Sequence, residues 1–368
     1  MIIIQINTFG NHSTGNIACK NALELEQQGN KCYVAYARGT IPSNIKSYKI
    51  ESKASVYLHG IFARLFDSCG FHSTIATIKL VKWIKRINPD IIHLHALHGY
   101  YINIRVLFKF LKKFNGKILW TQHDCWNFTG HCAYFYKADC DKWKKICYNC
   151  PLKKEFPKSY FDFSKRNFLL KKKIFTQLNR KTTKIIVPSN WLRMIVNDSF
   201  LNCYEIVVQY NQIDESIFKY TESDIKDRLQ IKSKKIVLGV ATCWDERKGL
   251  KDYLELSRIL TDDYIIVLVG LSKEQILNIN EYDNIIGLPK TNTLQELAEL
   301  YSAADIYFSA SNQETFGMTF LEAQKCGCKT IIGYNVSAIP EILNYVGGIT
   351  IDFDENRVCN VAKIIKKC

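Results

Sequence analysis

With 368 residues and 47% apolar side chains, the chain is too long for one ordinary α/β domain and can bury two cores. No stretch reaches about 18 consecutive apolar residues, which argues against a membrane-spanning helix. The formal net charge of +15 is uneven: residues 1–200 hold 32 Lys and Arg against 11 Asp and Glu, and the remainder holds 18 against 24. The first part therefore calls for an anionic partner, whether lipid, phosphorylated substrate or nucleic acid.

The opening Met1-Ile2-Ile3-Ile4 has neither the basic flank nor the small-residue cleavage site of a signal peptide and reads as a strand. Strands are expected at 2–6, 31–35, 90–95, 117–122 and 184–188. Helices with 3.6-residue spacing are expected at 16–28, 72–87 and 102–114. The alternation restarts at strands 235–240, 264–269, 284–286, 305–309, 329–332 and 348–351, with helices at 250–260, 294–303 and 317–326. The polar run 209–220, with Asn211 and Asp214, reads as a hinge. This predicts two doubly wound α/β domains, 1–209 and 210–368, facing across a cleft between the carboxyl ends of their sheets.

The richest segment runs from Ser311 to Ala323, between a predicted strand and a helix. Free N–H groups near Thr315, Phe316 and Gly317 suit a diphosphate, and Gly317 allows close approach. Glu314 and Glu322 lie eight residues apart, roughly 12 Å along a helix. One carboxylate could then meet a sugar and the other a ribose. In a second strand–loop–helix junction, adjacent Arg247 and Lys248 precede Gly249 and could neutralise a diphosphate leaving group. His123 and Asp124 follow the strand 117–122. The loop 7–16, with Gly10, His12 and Gly15, forms a turn suited to an anion.

These four segments resemble those of family-4 glycosyltransferases of the GT-B fold, of the bacterial exopolysaccharide and colanic-acid type. Shorter likenesses at 89–95, 188–192 and 340–342 extend the resemblance over nearly the whole length. It implies that Glu314 contacts the donor sugar, that Thr315, Phe316 and Gly317 hold sugar and diphosphate, and that Glu322 binds the ribose. Lys248 would contact phosphate. Where many members carry a further arginine, this chain has Thr242, with Arg247 nearby. His123 would face the transferred sugar and the acceptor, and Gly15 would line the donor–acceptor gap.

The resemblance further implies a retaining transfer from a nucleotide diphosphate sugar, with no cofactor required. A polyprenyl-diphosphate-linked glycan would be the acceptor, at the cytoplasmic face of an anionic inner membrane, to which the protein is peripherally bound. Domain closure would exclude water. Other GT-B activities, an epimerase or a phosphorylase, remain alternatives. A nucleic-acid-binding protein is a third, against which stands the lack of a recognition helix or RNP-like aromatics.

The chain has 14 cysteines. Cys19, Cys32, Cys326 and Cys328 sit in apolar runs and read as small hydrophobes in a reducing compartment. Within an insert at 123–156, Cys132, Cys140, Cys147 and Cys150 could bind one structural zinc, stapling a segment expected to bury little by itself. Unliganded thiols or a conditional disulfide are the other readings. Residues 102–117 set Arg105, Lys109, Lys112 and Lys113 opposite Ile104, Leu107, Phe108 and Leu111. That is either a sheet-packed helix or a basic skin for anionic lipid.

Overall fold

The computed structural model describes every residue except His12 and Lys232, and at Ser13 only the backbone. The chain divides into two compact units, Met1–Tyr210 and Asn211–Cys368. The sequence reading had put the boundary after residue 209.

The first unit runs β1 (Ile2–Phe9), α1 (Ser13–Gln27), β2 (Lys31–Arg38), β3 (Ser47–Lys49), α2 (Lys53–Phe66), α3 (Thr74–Ile87) and β4 (Ile91–Leu94). It continues with α4 (Ile104–Leu111), β5 (Lys117–Thr121), α5 (Ser164–Phe175), β6 (Thr183–Val187), α6 (Asn190–Asn197) and β7 (Glu205–Val208). All pairings are parallel, in the order β3-β2-β1-β4-β5-β6-β7. The order reverses direction between β1 and β4. There, loops from the strand ends diverge and leave room for a ligand. β1 is buried on both faces over residues 3–8, which its run of isoleucines permits.

The second unit contains α7 (Ile225–Arg228), β8 (Lys235–Val240), α8 (Leu250–Ile259), β9 (Tyr264–Val269), α9 (Lys273–Ile279) and β10 (Ile285–Leu288). After these come α10 (Leu294–Ala303), β11 (Ile306–Ser309), α11 (Met318–Lys325), β12 (Thr330–Tyr334), α12 (Ile339–Val346), β13 (Ile349–Ile351) and α13 (Arg357–Ile365). Its sheet, β10-β9-β8-β11-β12-β13, is also parallel, with its switch point between β8 and β11.

Between β5 and α5 lies the insert, whose only regular pieces are three single 3₁₀ turns. It was expected to bury little, and the structure corrects this. Trp126, Phe128, Ala133, Phe135 and Trp143 are all buried in the first unit's core. The Trp143 ring stacks on Phe135 at 4.9 Å and meets Phe128 edge-on at 5.5 Å. Polar ties add to this. Lys171 of α5 is fully buried, donating to the carbonyls of Trp126 (2.7 Å) and Thr129 (3.2 Å) with its ammonium 3.5 Å over the Trp126 ring. Among the described residues no group of three or more His, Cys, Asp or Glu side chains is set to hold a metal ion. Of Cys132, Cys140, Cys147 and Cys150, Cys147 lies near the other three. Cys132 pairs with Cys150 through a thiol hydrogen bond, and the Cys147 Sγ accepts from the Gly130 N–H at 3.2 Å. Aromatic burial gives the insert its cohesion.

Helix α4 resolves its own ambiguity. Ile104, Leu107, Phe108 and Leu111 are buried, and Arg105 and Lys109 face out, so it is a sheet-packed helix with a cationic back.

Candidate active site

In the second unit, loops from three neighbouring strands meet at the switch point. The loop after β8 turns at Asp245, whose side chain caps the Lys248 N–H, and so carries Arg247 and Lys248 toward β11. The Arg247 carbonyl accepts from the Asn312 N–H (2.9 Å), and its guanidinium donates to the Gln313 carbonyl (3.0 Å). These bonds lock the β8 and β11 loops together. Glu314 is fixed from the far side: its N–H donates to Ser337 Oγ (2.9 Å) and its carbonyl accepts from the Ala338 N–H (3.3 Å), in the loop after β12.

The Glu314 carboxylate forms a close ion pair with the Lys248 ammonium and lies 3.6 Å from the Arg247 guanidinium. Burial pushes this carboxyl up. Lys248 and Arg247 outweigh it and hold the group below the usual range, so it is ionised. Thr315 is half-buried and Phe316 is buried. Gly317 takes φ of +97° and starts α11, and a Cβ there would lie 2.6 Å from the Phe320 ring. Only glycine fits this turn into the helix. Glu322 projects from α11 and accepts from the Tyr301 hydroxyl of α10 at 2.9 Å. Burial raises its carboxyl to about 7, against the pull of that hydrogen bond. Both glutamates act electrostatically on the Tyr307 hydroxyl of β11. The sequence-selected residues of this unit thus gather at the carboxyl ends of β8 and β11. Ser337 and Tyr301, which sequence reasoning missed, hold the two acids.

At the first unit's switch point the side chains are imidazoles. His123, after β5, places Nε2 3.0 Å from His95 Nδ1, and His95 Nε2 lies 2.6 Å from Gln5 Oε1 of β1. With the Gln5 oxygen accepting, His95 carries its proton on Nε2 and accepts from His123 Nε2–H. His123 Nδ1 is then a hydrogen-bond acceptor. His93 stacks on His95 at 4.2 Å and bonds Thr121 Oγ1 at 2.8 Å. Burial drives His123 down to about 4, with Asp124 opposing, so this half-buried residue is neutral near pH 7. Asp124 binds His98 Nε2 (2.6 Å) and caps the Trp126 N–H (2.9 Å). Gly15 seats α1 against the end of β1, where a Cβ would fall 2.9 Å from the Phe9 carbonyl oxygen. His12 of this loop lies outside the described residues. His95 and Gln5 had no assigned role in the sequence. Their shared signal is position: Gln5 lies in β1 and His95 directly follows β4, the two strands that flank the switch point.

The sequence model of "Glycosyltransferase Family 4" matches residues 18–216, and that of "Glycosyl transferases group 1" matches residues 221–366. The chain is a family-4 glycosyltransferase. It is similar to a protein of Escherichia coli K12 named as the colanic acid biosynthesis glycosyl transferase WcaC, at 27% identity over 42% of this chain and 37% of the relative. It is also similar to the Campylobacter jejuni N,N'-diacetylbacillosaminyl-diphospho-undecaprenol α-1,3-N-acetylgalactosaminyltransferase, at 29% identity over 35% of this chain and 36% of the relative. These matches span little more than a third of those relatives.

Among solved structures, the Thermosynechococcus elongatus sucrose-phosphate synthase aligns with TM-score 0.68 and 15% identity, over 100% of this chain and 89% of that one. Anabaena HepE, solved with UDP and glucose, aligns at 0.65 and 15%, over 100% and 89%. At such identities the likeness shows the fold, which is GT-B.

Proposed function

We propose that this glycosyltransferase moves a sugar from a nucleotide diphosphate sugar to a polyprenyl-diphosphate-linked glycan, with retention, during surface polysaccharide synthesis at an inner membrane face. The observation that carries the donor half is the convergence of Lys248, Arg247 and Glu314 on the switch point of the second sheet, before Gly317 and the start of α11. A diphosphate arriving there competes with Glu314 for the two cations. Once Lys248 and Arg247 turn to phosphate, Glu314 is released to accept hydrogen bonds from sugar hydroxyls. Charge on the departing diphosphate is then met by fixed cations and by the amides of Thr315 to Gly317. Glu322, as carboxylate, accepts from the ribose.

In the first unit the neutral His123 offers a hydrogen-bond acceptor to the sugar or the acceptor hydroxyl. In a same-face transfer the departing phosphate oxygen takes the acceptor's proton, so no protein nucleophile is needed. HepE was solved with UDP-glucose, and the Campylobacter relative's name specifies a diphospho-undecaprenol acceptor. Both favour this substrate class.

The test is donor turnover over a panel of nucleotide sugars. Slow hydrolysis of one of them, lost in Lys248→Ala and Glu322→Ala, is expected. Failure of the wild type to bind or hydrolyse any of them would sink the donor assignment. Interconversion of free donor without acceptor would mark an epimerase, and dependence on inorganic phosphate a phosphorylase.

A further inference from the structure

We infer that α2 and the loop clasped to its end are the face by which this protein lies on an anionic lipid bilayer. The inference deepens the lipid-linked-acceptor reading and rests on it for its purpose, though not for its measurement. An ordinary Rossmann helix buries its apolar stripe, as α4 does. Helix α2 is reversed: it meets the core through Val56, His59 and Ala63 alone. Its outward side carries Tyr57 (71% exposed), Leu58 (55%), Ile61, Phe62 (44%), Leu65 and Phe66. They recur as pairs four residues apart, forming one continuous stripe.

The loop 159–163 enlarges this stripe. Ser159 Oγ and the Tyr160 N–H both donate to the Arg64 carbonyl, at 3.0 and 2.9 Å, and the Phe163 N–H donates to Asp67 Oδ2 at 2.9 Å. Tyr160 and Phe161, 70% and 58% exposed, are thereby fixed at the helix end.

Charge identifies the occupant. Helix α2 carries Lys53 and Arg64 and no acid, and Asp67 just beyond it is buried against His131. Lys158, Lys165 and Arg166 flank the clasped loop, whose acid, Asp162, accepts from the Cys150 and Ser164 N–H groups. An apolar and aromatic stripe bordered by cations, with its acids turned to internal donors, suits the headgroup boundary of an anionic bilayer. Apolar side chains enter that boundary by about 5–10 Å while Lys and Arg meet phosphate.

The experiment is co-sedimentation of the full chain with vesicles of phosphatidylcholine alone, or mixed with phosphatidylglycerol. The wild type should bind the mixed vesicles, release in high salt and ignore the neutral ones. The Leu58→Glu/Phe62→Glu variant should lose at least about tenfold in partitioning. Arg64→Gln/Lys158→Gln/Lys165→Gln, which leaves the apolar stripe untouched, should lose about fivefold per cation. Both variants should keep the wild-type melting temperature and donor hydrolysis. Equal binding to neutral vesicles, no binding, or a lipid-free dimer abolished by Leu58→Glu/Phe62→Glu would overturn the inference. The last would assign the face to a second copy. Intact hydrolysis with no vesicle binding would sink this face alone, and absent hydrolysis would sink the donor reading.

Discussion

At the switch point of the first sheet stand neutral imidazoles, and at that of the second stand paired ions. Apart from a seventh strand in the first, the two sheets share a strand order, so topology did not dictate this difference. In the first unit, Gln5, His95 and His123 form a buried chain that fixes the orientation and tautomer of a ring without placing charge on it. In the second, Lys248 and Arg247 are paired with Glu314, the arrangement proposed above to receive a diphosphate. One fold thus carries a neutral hydrogen-bonded chain at one switch point and an ion cluster at the other, according to which residues end its strands.

The sharpest way to break this contrast is to remove one partner from each. Lys248→Ala should lower kcat/KM about 10²- to 10³-fold, because it deletes charge stabilisation of the leaving group and leaves Glu314 less well paired. His123→Ala should cost about 10- to 100-fold, since only hydrogen bonding and placement are lost. Steady-state kinetics with one donor checks both. An equal loss, or a larger one at His123, would reverse the roles assigned to the two units.

The next effect concerns stability. Lys171→Met keeps the volume of the buried side chain but leaves the Trp126 and Thr129 carbonyls without their donor. It should destabilise the first unit by about 2–4 kcal/mol. Hydrogen exchange of the intact chain, followed peptide by peptide, should show the loss there and little change after residue 211. A uniform change in both units would refute it.

Acid separates the units by sign. Burial lowers His93 to about 3 and His123 to about 4, and lowers His95 strongly. Unfolded histidines bind protons near 6.5, so these groups make the first unit less stable as pH falls from about 6.5 toward 4. Glu322 does the opposite. Its carboxyl is raised to about 7, so its contribution to the second unit improves as pH falls from about 7 to 4.5. Urea unfolding followed by exchange at pH 7.5 and 5 should show the first unit weakening with acid. The Glu322→Gln variant should remove part of the second unit's gain.

Much of both sheets was legible because their strands are β-branched runs buried on both faces, as at β1 and β9. The edge strands β3 and β7 were not. They are short, one side is open to solvent, and an alternation over three or four residues is too brief to read as a strand. The second unit's site was readable because Arg247–Lys248 and Glu314–Glu322 each lie in one continuous stretch. Ser337 and Tyr301 reach it only through topology, and no local pattern announces them. In α2 the spacing is that of any amphipathic helix, and only its packing reveals that the apolar stripe faces outward.

The smallest effect discriminates most finely between the two acids proposed to hold the donor. Glu314 is ionised through its two cations, so its role should not change between pH 6 and 8.5. Glu322 is raised by burial, opposed by the Tyr301 hydroxyl, and its value of about 7 falls inside that window. A ribose hydroxyl can donate fully only to the carboxylate. Donor affinity should therefore weaken as pH falls below about 7, approaching tenfold per unit once the acid is mostly protonated. A nucleotide sugar is the right probe, because its esterified diphosphate does not titrate there. Calorimetric titration should give a pH-dependent Kd for the wild type and for Lys248→Ala, the latter weaker throughout. In Glu322→Gln the dependence should vanish. A flat wild-type profile would mean that Glu322 does not meet the ribose, and the second unit's two acids would then need new roles.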